Sequence, residues 1–249
     1  VEEKTNLNNL FGWWQNIQIA DLDGDGNNDL VIGNMGENGY LKPSPENPVK
    51  LWMYDFDGNE SLDKILTRGI NGKDYAVFLK AEMQEQIPLI KKENLNYKDY
   101  AKKTFQELFK PELIAKAEQK LYNYTSSIIA WGNGKGQFSI QRLPNQVQFS
   151  SLNASLATDV NGDGQPDLIM GGNQFGFLPQ FGRLDANYGL ILINKGKRKF
   201  EVLDDKASGL AITGQVRDIV GLPSKTSQQV LFIRNDDFPV LLKLNEVKK

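Results

Sequence analysis

The stretch Asp159-Val160-Asn161-Gly162-Asp163-Gly164-Gln165-Pro166-Asp167 decides the reading of the fold. Two relatives stand earlier in the chain, Asp21-Leu22-Asp23-Gly24-Asp25-Gly26-Asn27-Asn28-Asp29 and Asp55-Phe56-Asp57-Gly58-Asn59-Glu60-Ser61-Leu62-Asp63. Oxygen-bearing side chains recur at positions one, three, five and nine: Asp21, Asp23, Asp25 and Asp29; Asp55, Asp57, Asn59 and Asp63; Asp159, Asn161, Asp163 and Asp167. Position seven, filled by Asn27, Ser61 and Gln165, offers its backbone carbonyl. Alternate side chains converge on one point, as a calcium ion with roughly six to eight oxygen ligands requires. Gly26 and Gly164 at position six let the chain turn back where a side chain would clash. The middle loop departs from the pattern there, with Glu60.

Two other readings compete. An EF-hand carries a bidentate Glu at position twelve and lies between helices. Position twelve is Ile32, Leu66 or Met170, and the residues after the first and third loops, Leu30-Val31-Ile32 and Leu168-Ile169-Met170, read as strands. A solvated turn also favours Asp, Gly and Asn. However, four carboxylates within residues 21–29 repel one another without a counter-charge. The expectation is therefore two to three bound calcium ions.

The chain of 249 residues is long enough for one large or two small domains. It contains no cysteine and no histidine, which excludes disulfides, thiolate chemistry, histidine-based triads and ordinary zinc sites. The formal charge of −2, with no dense Lys/Arg run, argues against nucleic acid as a partner. No apolar stretch reaches the length of a membrane-spanning helix.

Upstream of the first loop, Ile17 and Ile19 alternate with polar residues, so the pattern is strand, acidic loop, strand. A proline-rich connection at 42–48 leads to a strand at 51–54 and the second loop. Strands at 65–68 and 75–79 follow, with Asn71-Gly72 as a hairpin turn. Residues 81–124 break the pattern and predict a helical insertion packed on the β body. There Tyr97, Tyr100, Ala101, Phe105, Leu108 and Phe109 recur at helical spacing. Pro111 suits the start of a further helix with Leu113, Ile114, Ala117 and Leu121 on one face. Strands resume at 127–131 and 190–193, each followed by a glycine-rich turn ending in Phe138 or Phe200. Residues 215–220 lie where a fourth acidic loop would fall, yet no acidic repeat follows Asp218. Strands at 230–233 and 240–242 complete the pattern. About four units of some 45–60 residues, one split by the insertion, predict an all-β fold of β-propeller blades.

The Asp-x-Asp/Asn-x-Asp-Gly-x-x-Asp-Leu loops, together with Asn133-Gly134-Lys135-Gly136-Gln137-Phe138, resemble FG-GAP/VCBS repeats, the calcium-binding blades of integrin α-subunit propellers. Gly12-Trp13-Trp14, Gln86-Ile87-Pro88, Tyr97-Lys98-Asp99-Tyr100-Ala101 and Phe181-Gly182-Arg183-Leu184-Asp185-Ala186 more narrowly resemble the C-terminal part of bacterial VCBS proteins of the cartilage-acidic-protein type. The chain departs from the repeat pattern in three places. Phe175-Gly176 and Phe181-Gly182 lack the Gly-Ala-Pro partner, Glu60 replaces glycine, and the last unit has no acidic loop.

The resemblance implies that residues 1–249 are part of a seven-bladed propeller, a piece of a longer chain. It implies an extracytoplasmic location: periplasm, cell surface or secreted. The expected function is a non-enzymatic, calcium-stabilised module that binds a protein or glycan, with structural metals. The alternative is a propeller-fold polysaccharide lyase or hydrolase. Arg183, Asp185 and Tyr188 form the candidate non-metal ligand site for either reading. Trp13, Trp14, Trp52 and Trp131 adjoin strands and are expected to be buried rather than to serve as sugar platforms. Bare terminal blade faces predict self-association.

Overall fold

The computed structural model describes residues 5–222 and 228–244. The chain forms two compact units, Val1–Tyr40 with Thr125–Lys249, and Leu41–Tyr124. In chain order, β1 (Asn16–Ala20) and β2 (Asp29–Gly33) form a hairpin across the first acidic loop. The second unit follows. Its strands β3 (Val49–Tyr54) and β4 (Asp63–Ile70) flank the second acidic loop, and β5 (Lys73–Ala76) turns back through Asn71-Gly72. Both turn residues have positive φ, 51° and 73°, as a tight hairpin turn demands. Five short helices come next: α1 (Lys80–Gln86), α2 (Leu89–Glu93), α3 (Tyr97–Tyr100), α4 (Phe105–Leu108) and α5 (Pro111–Ile114). Strand β6 (Glu118–Tyr122) ends the unit.

The first unit then resumes. β7 (Ile128–Gly132) and β8 (Phe138–Arg142) complete the first sheet, with order β1-β2-β7-β8. β9 (Leu152–Thr158) and β10 (Asp167–Gly172) flank the third acidic loop, and β11 (Leu190–Asn194) and β12 (Phe200–Val202) finish the second sheet. β13 (Gln215–Leu222), β14 (Gln229–Asn235) and β15 (Val240–Lys243) make the third. All three are antiparallel meanders, and β9 packs against β1 on one side and β13 on the other. This is a blade-like succession of sheets stacked through their first strands.

Side-chain alternation explains the stacking. On β10, Leu168 and Met170 enter one core with Val31, Ile129, Trp131 and Leu192. Ile169, between them, enters a second core with Ile191, Val216, Ile219, Val230 and Phe232. Period-two alternation thus lets one strand serve two interfaces. The backbones close in where β10 ends. A Cβ at Gly172 would lie 1.6 Å from the Ser151 carbonyl oxygen, at a register shift in the β9–β10 ladder. A Cβ at Gly33 would lie 2.1 Å from the Leu152 carbonyl oxygen, so the first two sheets approach through glycine at that point too.

The second unit differs from the expected blade. Its sheet runs β5-β4-β3-β6, because β6 returns to the far edge of β3 instead of extending the meander. The helices cover this unit's own sheet. The Trp52 ring stacks on Phe105 at 4.6 Å, and Phe56 lies 4.5 Å from Phe109. The predicted long helical stripes are corrected. Tyr97–Phe109 spans two short helices, broken where Glu107 Oε2 accepts hydrogen bonds from the Thr104 backbone N–H and hydroxyl at 2.7 and 2.9 Å. Pro111 does begin α5, but Leu121 lies in β6 and shares no helix face with Leu113. The helical segment does interrupt one sheet, between β5 and β6, and there is a second interruption. It is the first sheet, between β2 and β7, that the whole second unit splits. Residues 215–220, where spacing would put a fourth acidic loop, belong to β13, and residues 223–227 lie outside the described residues. No helix among the described residues is long and apolar enough to cross a membrane.

Crowding at Gly172 yields a stability prediction. Gly172→Ala should cost about 3 kcal/mol through overpacking against backbone that cannot move aside. Gly136, with nothing near its virtual Cβ but a φ of 72°, should cost only ~1 kcal/mol as Ala. Urea midpoints of the two variants measure the difference.

Candidate metal-binding loops

The three acidic loops share one backbone cage. The position-one carboxylate sits under the turn and accepts main-chain N–H groups on both oxygens. Asp21 takes Gly24 at 2.8 Å and Gly26 at 2.9 Å. Asp55 takes Gly58, Asn59 and Glu60 at 2.8–3.0 Å. Asp159 takes Gly162, Asp163 and Gly164 at 2.7–3.2 Å. Position five caps position seven, with Asp25, Asn59 and Asp163 accepting from Asn27, Ser61 and Gln165 at 2.8, 2.7 and 2.8 Å. Position two turns inward: Leu22 and Phe56 are buried in the cores of their respective units.

Position nine locks the cage to the sheet. One oxygen of Asp29, Asp63 and Asp167 accepts the position-two N–H of Leu22, Phe56 and Val160 at 2.9, 2.8 and 2.9 Å. In the first unit the other oxygen crosses to the third strand, Asp29 to the Gly132 N–H at 2.8 Å and Asp167 to the Asn194 N–H at 2.7 Å. These carboxylates are buried. Desolvation pushes the pKa values of Asp29, Asp63 and Asp167 above 3.8, against the opposing pull of those N–H donors. Asp25 lies below 3.8, held there by hydrogen bonds from Asn27 with a smaller contribution from Arg198.

Glu60 adopts the loop geometry despite its side chain. Its φ of 66° is left-handed like the 85° of Gly26 and Gly164, so the middle loop closes in the same way at a conformational cost.

The side chains that could hold a cation converge in two loops. Ligand atoms of Asp21, Asp23 and Asp29 lie within 4.8 Å of one another, as do those of Asp55, Asp57 and Asp63. The Asp57 Oδ1 atom is buried and has no hydrogen-bond partner. A buried, unpartnered carboxylate oxygen amid two other carboxylates is suited to a hard cation. The third loop is arranged differently at position three. Asn161 Oδ1 accepts the Asp163 N–H at 2.9 Å, while its Nδ2 donates to Asp163 Oδ2 at 3.0 Å.

Two residues of the candidate ligand site form a surface pair. Arg183 Nε donates to Asp185 Oδ2 at 2.9 Å, and the guanidinium lies 4.6 Å from the Phe175 ring centre. Both side chains are about half exposed. Tyr188 is exposed, and its carbonyl accepts the Ile212 N–H at 2.8 Å. Trp52 and Trp131 are buried, as expected from their strands; Trp14 is exposed and Trp13 half-buried.

Sequence spacing missed two contributors from the β11–β12 turn. Asn194 Nδ2 donates to the Leu22 carbonyl at 2.7 Å, and Arg198 Nε donates to Asp23 Oδ2 at 2.8 Å. Both residues are over a hundred positions from the loop they serve, and no local signal marks them.

Replacing Glu60 by glycine should relieve the left-handed strain. Glu60→Gly is expected to stabilise the protein by roughly 0.5–1 kcal/mol, the strain relief exceeding the entropy that glycine adds to the unfolded chain. Denaturant titration with and without divalent cation checks this, and a destabilised variant would show that the Glu60 side chain makes compensating contacts.

No curated protein and no solved structure matches the chain. A family model does. The FG-GAP repeat model covers residues 13–45, which include β1, the first acidic loop and β2. Such repeats occur in integrin-like binding modules, and the match identifies this loop with its flanking strands as an FG-GAP repeat.

Proposed function

We propose that the chain is a calcium-stabilised, extracytoplasmic module that binds a protein partner, and that its metals are structural. The observation that carries the calcium reading is the convergence of Asp55, Asp57 and Asp63 around the unpartnered Asp57 oxygen. Asp21, Asp23 and Asp29 repeat the donor set in the FG-GAP segment. In the third loop Asp159, Asn161, Asp163 and Asp167 would supply the ligands, completed in each loop by the carbonyl of Asn27, Ser61 or Gln165. Bound calcium would supply positive charge to these clustered carboxylates; among the described ion pairs the protein itself provides it only through Arg198 at Asp23. The protein's own part is to hold the position-one and position-nine carboxylates rigidly on backbone N–H groups. The donors are preorganised and the cation has little chain to order.

General calcium supply supports the extracytoplasmic reading. Modules of this kind work at about 10⁻⁴–10⁻³ M calcium, which the cytosol does not supply. The protein-binding role rests on the integrin-like company of the FG-GAP repeat.

A ligand bound only by the native state adds about 2.7 kcal/mol per site at a hundredfold excess over Kd. The melting temperature should therefore rise clearly from EDTA to millimolar calcium. No rise, after metal removal has been verified by elemental analysis, would end the calcium reading.

The raised carboxyls predict a pH signature. Without metal, Asp29, Asp63 and Asp167 have folded pKa values above 3.8, so their contribution to stability is present below 3.8 and lost as pH rises through the raised values. Calcium favours the ionised form and so expels these protons. Calorimetry in buffers of different ionisation enthalpy should detect proton release at acidic pH above 3.8 that fades as pH rises through the raised values. Apparent affinity should fall as pH drops through those values.

A further inference from the structure

Arg198 is a fixed cation at position three of the first loop. It sits in the turn between β11 and β12 with φ of 60°, a left-handed conformation uncommon outside glycine. The turn is tied to the first sheet on two sides: Asn194 Nδ2 donates to the Leu22 carbonyl at 2.7 Å, and Gln141 Nε2 donates to the Arg198 carbonyl at 3.2 Å. The guanidinium stacks over Trp131 at 4.9 Å, and its Nη1 donates to Ser139 Oγ at 3.3 Å. Nε donates to Asp23 Oδ2 at 2.8 Å, while the other Asp23 oxygen accepts the Asp25 N–H at 3.2 Å. Asp23 is only 11% exposed in this pair, so water screens it poorly. Among the described residues, Asp23 is the one carboxylate of the three loops held in an ion pair.

We propose that Arg198 sets the cation affinity of the first loop: its guanidinium holds Asp23 in the cation-free protein and gives that carboxylate up when a divalent cation binds. The inference rests on the calcium reading above. Guanidinium and cation draw on the same carboxylate and repel each other at this range, so each weakens the other. Loading the loop exchanges a tie between the first two sheets for metal–ligand bonds. The middle loop has no such competitor among the described ion pairs, so the first loop should bind calcium more weakly.

The test is Arg198→Gln, with Glu201→Gln as control, since Glu201 pairs with Lys195 on the same turn at 3.1 Å and touches no loop carboxylate. Calcium titration by calorimetry should show one class of site tightened roughly three- to tenfold in Arg198→Gln and unchanged in the control. The gain should disappear when Asp23→Asn is added. In thermal melts Arg198→Gln should lose stability in EDTA and lose less in millimolar calcium, where the pair is already broken. Unchanged or weaker calcium binding, or an equal loss in both conditions, overturns the proposal while leaving the calcium reading standing. A wild-type protein that binds no calcium at all removes both.

Discussion

Each acidic loop is closed by one buried carboxylate. Asp29 and Asp167 are fully buried, and each spans from the second residue of its own loop to the third strand of its sheet. Leaving so buried a charge uncompensated is expensive, and a few neutral N–H donors offset only part of that cost. The rest of the loop follows from this constraint. The chain must turn through two left-handed residues to bring position nine back beneath position one. Position two must point inward to deliver its N–H, which places Leu22 in the core. One carboxylate thereby fixes the hairpin register, the anchor of the loop and the shape of the acidic cluster above it.

Much of this could be read from residue order. The alternation of Asp, Gly and apolar residues located all three loops, and the strands on either side appeared where hydrophobic period two placed them. The hairpin at Asn71-Gly72 was legible because only a few residue types accept positive φ at both turn positions. The helical segment was less legible. Tyr100, Phe105, Leu108 and Phe109 do face one core while Tyr97 and Ala101 are exposed, because periodicity registers a shared face and cannot register the breaks at Asn96 and Thr104. Local spacing places Leu121 on a helix face, because its strand partner, Lys50, lies some seventy residues upstream and leaves no local trace. The Arg198–Asp23 pair was illegible for the same reason, since its partners meet only after two sheets have stacked.

Glu60 shows the limits of residue identity in the other direction. Glycine at position six appears in the first and third loops, and the middle loop has Glu60 there instead. Backbone N–H groups converging on Asp55 hold that turn in the left-handed region anyway. Several hydrogen bonds to one ionised carboxylate together outweigh a penalty of about 1–2 kcal/mol at a single residue.

The position of the second unit bears on how the protein reaches its fold. β2 and β7 are neighbours in one sheet, yet residues 34–127 lie between them. An unstructured loop of that length makes the pairing slow to find, because the closure entropy comes due before any contact rewards it. The inserted segment removes much of that delay if it condenses first, since its strand pairs are closer in sequence and it has a core of its own around Trp52, Phe56 and Phe105. As the chain leaves the ribosome, β1 and β2 emerge before the inserted unit and wait with their edge uncovered until Ile128-Ile129-Ala130 arrives to complete the sheet. The order of synthesis therefore has the FG-GAP hairpin emerge before the inserted unit and complete its sheet after it, which is the interval in which an unpaired strand edge is most exposed to aggregation.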